Sequence, residues 1–270
     1  MSLIDVEVIF CRHMLSCANA YSYYLPKWKQ SRRLVYRDPE LTNVGIESGQ
    51  RVPIPKNVDF IMSSMMIRAQ ETALALYPDR EIIVAPYIKE KGTASENSIE
   101  SSPVEQAKRV GSSNINRSYV TIRGTKKKPT KWERNMAHVS NYNSFLVWLE
   151  HFIMGHKMTN PDPTKTKFKV FVVTHAHFIR SIYKSKEKMR NLAMFTKKYT
   201  LDLEHERKDD ETTRLIDVSK PVKSFTKSNM FFIGVKIPEE LGPEDVSRCK
   251  YKPIEKLKLR DKKRNLNKSK

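Results

Sequence analysis

The sequence predicts an α/β fold, a three-layer sandwich in which helices cover both faces of a mostly parallel central sheet. Two observations carry this. Apolar, β-prone segments alternate with helical ones along the chain, and that alternation suits a parallel sheet buried on both sides. Three of the apolar segments also lead directly into polar stretches carrying Arg12-His13, Arg68 and His175. Parallel strands bring such stretches to one edge, the carboxyl edge where open α/β sheets bind ligands.

The elements follow in order. Val6 to Phe10 is a first buried strand, followed by a loop through Arg12-His13 that ends at Asn19. Residues 21–28 are irregular and aromatic and read as a packed loop. Leu41 to Gln50 is a short helix with Thr42 as its N-cap, ended by Pro53 and Pro55. Val58 to Met62 is a second strand. Arg68 to Leu76 is a helix with Ala69, Ala73 and Leu76 on one face. Glu81 to Ala85 is a third strand, and Glu90 lies just beyond its end. From Lys91 to about 135 apolar periodicity is lost, which predicts a long, partly mobile insertion beside the site. Met136 to Ile153 is the clearest helix, with Val139, Tyr142, Phe145, Leu146, Leu149 and Phe152 at helical spacing. A linker over 158–167 precedes the strand Phe168–Val173, then His175, then a helix from Phe178 to Lys188. Residues 197–210 read as charged and exposed, and Ser228 to Lys236 as a last strand.

Length and composition bound the rest. A chain of 270 residues has ample material for a core. The domain expected is 1–249, with a basic, flexible tail over 250–270 that is too poor in apolar residues to pack. No internal repeat is visible. The formal charge is +20. The tail holds ten Lys or Arg against Glu255 and Asp261, a net of +8 that leaves +12 elsewhere. Such charge favours anionic partners. An accessory contact of the tail and of Lys126 to Lys128 with nucleic acid or an anionic surface is one expectation. No apolar run approaches bilayer length, and the first residues do not resemble a signal peptide. Three unevenly spaced cysteines, Cys11, Cys17 and Cys249, predict reduced thiols inside a cell, in the cytoplasm or the nucleus.

Two Arg, two His and a Glu at one sheet edge suit phosphoryl transfer. Fixed cations stabilise the charge spread over the equatorial oxygens, and Arg matches phosphate with paired bonds. An imidazole can attack phosphorus, and a carboxylic acid can protonate the leaving oxygen. That scheme requires no metal or other cofactor. A cysteine phosphatase would need Cys-x5-Arg, and six residues after Cys11 and Cys17 come Cys17 and Tyr23. A metal site at His175-Ala176-His177 lacks further ligands in Phe178-Ile179-Arg180, so His177 reads as a pocket wall or helix-start residue. Simpler roles compete at single positions: an ion-paired Arg68, a satisfied buried His175, a solvated Glu90.

Four separated motifs together resemble the histidine phosphatase superfamily, also called phosphoglycerate-mutase-like. Arg12-His13-Met14-Leu15-Ser16-Cys17-Ala18-Asn19 resembles its Arg-His-Gly-x-Ser-x-x-Asn signature. Leu41-Thr42-Asn43-Val44-Gly45 is similar to its Leu-Thr-x-x-Gly. Ser63 to Ala73 resembles its Ser-Ser-x-x-x-Arg-Ala-x-x-Thr-Ala, and Val173-Thr174-His175-Ala176 its Val-Thr/Ser-His-Gly. The resemblance spans roughly residues 6–185. It implies that His13 is a nucleophile carrying a phosphohistidine and that Arg12, Arg68 and His175 hold the phosphate with help from Asn19. It also implies that Glu90 is the proton donor.

Two positions depart from the family pattern, Met14 and Ala176 standing where it has Gly. Met14 could distort the loop, narrow the pocket, or point away. The mutases' Glu-Arg-x-Tyr-Gly is not matched by Glu90-Lys91-Gly92-Thr93-Ala94, which favours a phosphatase. The expected activity is hydrolysis of phosphate monoesters, on a small molecule or a phosphoprotein. The alternative is a phosphatase-like module that binds a phosphorylated ligand or partner without turnover.

Overall fold

The strand that carries Arg12 at its end, β1 (Leu3–Arg12), lies inside the sheet. On one side it pairs in parallel with β5 (Lys167–Thr174), and on the other antiparallel with β6 (Met194–Asp202). The computed structural model describes residues 3–24, 38–92, 97, 103–120, 139–159, 162, 164–204, 212–219, 230–236, 241–242 and 244–249. Among them the sheet has eight strands, in the order β4-β3-β2-β5-β1-β6-β7 with β8 also on β6. The further strands are β2 (Phe60–Ser63), β3 (Ile82–Val84), β4 (Ile115–Asn116), β7 (Leu215–Asp217) and β8 (Met230–Phe232). Strands β1 to β5 are parallel to one another, and β6, β7 and β8 are joined antiparallel.

Alternation along β1 splits its side chains between two cores. Ile4, Val6, Val8 and Phe10 enter one with Phe145, Leu149, Phe178 and Tyr183. Ile9 and Cys11 enter the other with Leu41, Ala69, Ala73 and Leu76. Helices α5 (Tyr142–Thr159) and α6 (Ala176–Tyr183) therefore cover one face. Helix α3 (Ile67–Leu76) covers the opposite face, with α2 (Asn43–Gln50) beside it. These are the three layers, and burial on both faces explains why the inner strands are apolar at successive positions.

Several elements differ from expectation. The segment after Ser16 is α1 (Cys17–Tyr24), capped by Ser16, whose Oγ accepts the Asn19 N–H at 3.3 Å. Helix α5 starts at Tyr142 because Asn141 caps it, accepting the Ser144 N–H at 3.2 Å, and it runs on to Thr159 into the expected linker. Helix α6 stops at Tyr183 because Lys184 turns left-handed (φ 49°). Residues 194–202 form β6 against β1, although 197–210 read as exposed. Lys197 and Lys198 break its apolar pattern, yet Lys197 pairs with Asp217 and Lys198 lies 4.0 Å from Glu7. Part of the expected insertion is built into the fold: α4 (Pro103–Val110) packs on α3 and β4 extends the sheet. Gln106 anchors it by donating to Asp38 Oδ2 (2.8 Å) and Met65 O (2.9 Å). Residues 121–138, with Lys126 to Lys128, and the tail 250–270 lie outside the described residues.

The expectation of reduced thiols does not hold. Cys17 and Cys249 form a disulfide, and Cys11 is free and buried. The partners are 232 residues apart, so spacing gives no hint of the pairing. The segment ending at Cys249 is also held by polar contacts. Arg248 donates to Glu71 Oε1 at 2.7 Å, and Asn43 Nδ2 donates to Ser247 Oγ at 2.9 Å. No helix among the described residues is long and apolar enough to cross a membrane.

Candidate active site

β1, β2, β3 and β5 are parallel, so the polar stretches after all four leave from one edge. The turn after β1 is held most tightly. The His13 N–H donates to Thr174 O (3.0 Å) on the neighbouring strand. Asn191 Nδ2 donates to both His13 O (2.8 Å) and Met14 O (3.0 Å). The Met14 N–H donates to Thr72 Oγ1 (3.0 Å), and the Thr72 hydroxyl donates to Arg68 O (2.7 Å). Thr72 thus couples the β1 turn to the first turns of α3, where Arg68 sits.

These contacts set the state of the His13 ring. Its Nδ1 lies 2.6 Å from Met14 O. A carbonyl oxygen only accepts, so Nδ1 carries the proton and Nε2 bears the lone pair. Arg68 Nε donates to that Nε2 at 3.2 Å. Burial, then the Arg68 and Arg12 guanidinium groups, hold His13 well below the ordinary imidazole range. The ring is therefore neutral at pH 7, the state a nitrogen nucleophile needs.

His175 faces it across 5.2 Å between ring centroids. Its Nε2 lies 3.0 Å from Ser64 Oγ, and its Nδ1 is buried with no hydrogen-bond partner among the described residues. Burial, and then Arg68 and the other nearby positive groups, hold it too well below its ordinary range. Arg12 is half-buried, and its Nη1 donates to Met189 O. Arg68 is buried and its Nη2 donates to Asn97 Oδ1 at 3.1 Å. Four of the predicted residues, Arg12, His13, Arg68 and His175, thus form one electrostatic cluster.

Glu90 and Asn19 stand apart from these direct contacts. Glu90 is buried and bonded to the start of α6 through the His177 N–H (3.1 Å) and His177 Nδ1 (3.0 Å). His177 is accordingly a helix-start residue. Asn19 lies in α1, its Oδ1 buried without a partner among the described residues.

Both departures from glycine are accommodated. Met14 is fully buried, and a Cβ built on Gly49 would fall 1.8 Å from its Cε. The Met14 side chain therefore runs under α2 and fills the space that Gly49 leaves open. Neither Met14 nor Ala176 has positive φ, so neither position calls for glycine on backbone grounds.

Leu41 to Gly45 supports the same turn from outside. The Thr42 N–H and hydroxyl both donate to Leu15 O, at 3.0 and 3.1 Å. Thr42 Oγ1 also accepts the Gly45 N–H at 3.0 Å as the cap of α2. A Cβ on Gly45 would meet Leu15 O at 2.5 Å, so this glycine permits close approach. The motif braces the β1 turn.

Several contributors had no clear signal in the sequence. Asn191 is a single polar residue in a loop. Asp38 is fully buried with positive φ (43°) and accepts the Ile67 N–H at 2.9 Å, which fixes the start of α3. Lys89 is half-buried beside Glu90. Burial first, then Arg68, lowers it from the usual lysine range, while Glu90 and Asp38 act against that shift.

No protein-family model matches the chain, and no curated protein matches it. Solved structures similar to it include a phosphoserine phosphatase from Entamoeba histolytica, at 19% identity and TM-score 0.39, covering 71% of this chain and 90% of that one. A phosphoglycerate mutase from Bacillus anthracis is 15% identical at TM-score 0.41, covering 83% and 95%. The ecdysone phosphate phosphatase of Bombix mori, solved with tungstate, is 15% identical at TM-score 0.44, covering 87% and 96%. These solved structures are members of the histidine phosphatase superfamily.

Proposed function

We propose that this chain is a phosphatase of the histidine phosphatase type, hydrolysing phosphate monoesters through a phosphohistidine on His13 without a metal. The observation that carries the reading is the state of His13. Its proton is held on Nδ1 by Met14 O, and its Nε2 lone pair lies beside the Arg68 guanidinium. Attack by Nε2 forms the N–P bond as the ester P–O bond breaks. Arg12, Arg68 and the His175 Nδ1 side hold the equatorial oxygens, where charge accumulates. Glu90 gives a proton to the departing oxygen, and later takes one from the water that releases phosphate.

The buried course of Met14 favours turnover over a binding module, because its side chain is packed against Gly49. The run Glu90-Lys91-Gly92 favours hydrolysis over mutase chemistry. The test is to acid-quench the protein with an aryl phosphate and map acid-labile phosphate by mass spectrometry. Phosphate on His13, and its loss in His13→Ala together with turnover, is the expected result. Equal hydrolysis by His13→Ala and the parent would refute the reading.

A further inference from the structure

The loop after β3 crosses the start of α6 and is fastened there on both sides of His175. Thr174 Oγ1 donates to Ile88 O at 2.7 Å. Two residues further on, Glu90 Oε1 accepts the His177 N–H at 3.1 Å. The same oxygen meets His177 Nδ1 at 3.0 Å and the Lys91 N–H at 3.1 Å. Oε2 has no hydrogen-bond partner among the described residues, although Glu90 is buried. The His177 side chain is 56% exposed and that of Glu90 9%, so the imidazole stands on the solvent side of the carboxyl group.

This asymmetry decides where a proton can sit. On Oε1 it would point into a ring of N–H donors, whereas on Oε2 it would not. We infer that His177 is a positioning residue for the hydrolysis proposed above, on which the inference rests: by donating from Nδ1 it keeps Oε1 an acceptor and assigns the acid proton of Glu90 to Oε2. Both the neutral Nδ1–H tautomer and the imidazolium donate there, so the device does not depend on the ring's charge. In the step itself, the His13 Nε2–P bond forms and the ester P–O bond breaks. The leaving oxygen takes the Oε2 proton and departs as an alcohol. Water then adds to phosphorus, the N–P bond breaks, and the water proton returns to Oε2.

The consequence is selective. An alkyl oxygen needs that proton to leave, while p-nitrophenolate is a stable anion and needs it far less. The experiment compares kcat and KM of the parent, His177→Leu and His177→Asn on a set of alkyl phosphates and on p-nitrophenyl phosphate. In His177→Leu the ratio of alkyl to aryl turnover should fall about tenfold, the scale of one hydrogen bond to a charged group, with the loss in kcat and not in KM. In His177→Asn the side-chain N–H reaches the place of Nδ1–H and should restore most of that ratio. Equal losses on both ester types, or Asn no better than Leu, would overturn the assignment. So would a parent that phosphorylates His13 from the aryl ester yet turns over no alkyl ester. A parent that never phosphorylates His13 removes the phosphatase reading, and this inference with it.

Discussion

The turns after β1 and β5 each end a buried parallel strand in a buried histidine, but the two rings are held very differently. His13 has its tautomer set by Met14 O, and its turn is fixed by Asn191, Thr72 and Thr174. His175 is tied at Nε2 to Ser64, and its Nδ1 has no partner among the described residues. Under the proposed mechanism the difference matches two roles for one residue type. A nucleophile needs a lone pair fixed in place, whereas a group that holds charge needs a donor pointed at it.

The sharpest way to break this comparison is to exchange the losses. His13→Ala should lower kcat on p-nitrophenyl phosphate by at least about 10,000-fold, because the bond-forming atom is gone. His175→Asn should cost about 100-fold, the scale of one donor to the transition state, and should still accumulate phospho-His13. Steady-state and quenched-flow rates on both variants decide it. Comparable losses would mean that the difference in fixation has no functional meaning.

A smaller effect concerns what supports the β1 turn. Met14→Ala should lower stability by about 2–4 kcal/mol, as a buried side chain leaves a cavity under α2. Gly49→Ala should cost about 1–3 kcal/mol through overpacking against Met14. The double variant should be more stable than the sum of the two losses implies, which urea unfolding would reveal as coupling. Strict additivity would mean that the two residues do not share the space.

The smallest effect is on pH. Both histidines titrate below their ordinary 6.5 in the folded state, so below that pH the unfolded chain binds more protons. Stability then rises with pH through that window and is lost as pH falls through it. Asp38 and Glu71, raised chiefly by burial, act in the opposite sense at lower pH. The parent should therefore lose more stability between pH 7 and 5 than a His13→Asn/His175→Asn variant does. Parallel curves by chemical denaturation would show that the rings are not buried neutral.

Strands β1, β2, β3 and β5 were legible because they are buried on both faces and read as apolar runs, whereas β4, two residues long inside the expected insertion, was not. The antiparallel half was less legible, since Lys197 and Lys198 satisfy themselves at the rim of β6 and disguise a strand. In the candidate site, the residues that cluster, Arg12, His13, Arg68 and His175, could be named from motifs. Asn191, Asp38 and Gln106 could not, because each acts through a contact distant in sequence and none lies on a periodic face. The Leu41 to Gly45 motif was visible, but its bracing of Leu15 O is a property of packing alone.

The Cys17–Cys249 bond joins residues 232 apart, so topologically most of this protein is a ring. The covalent circle runs from the end of the β1 turn, through all the later strands, and back to α1. An unfolded ring explores far fewer shapes than an open chain, and on chain-entropy grounds closing one of this size favours the folded state by about 5 kcal/mol. The turn that presents His13 lies just outside that circle, so β1 and His13 hang from it as a short arm, while Arg68, Glu90 and His175 lie within it.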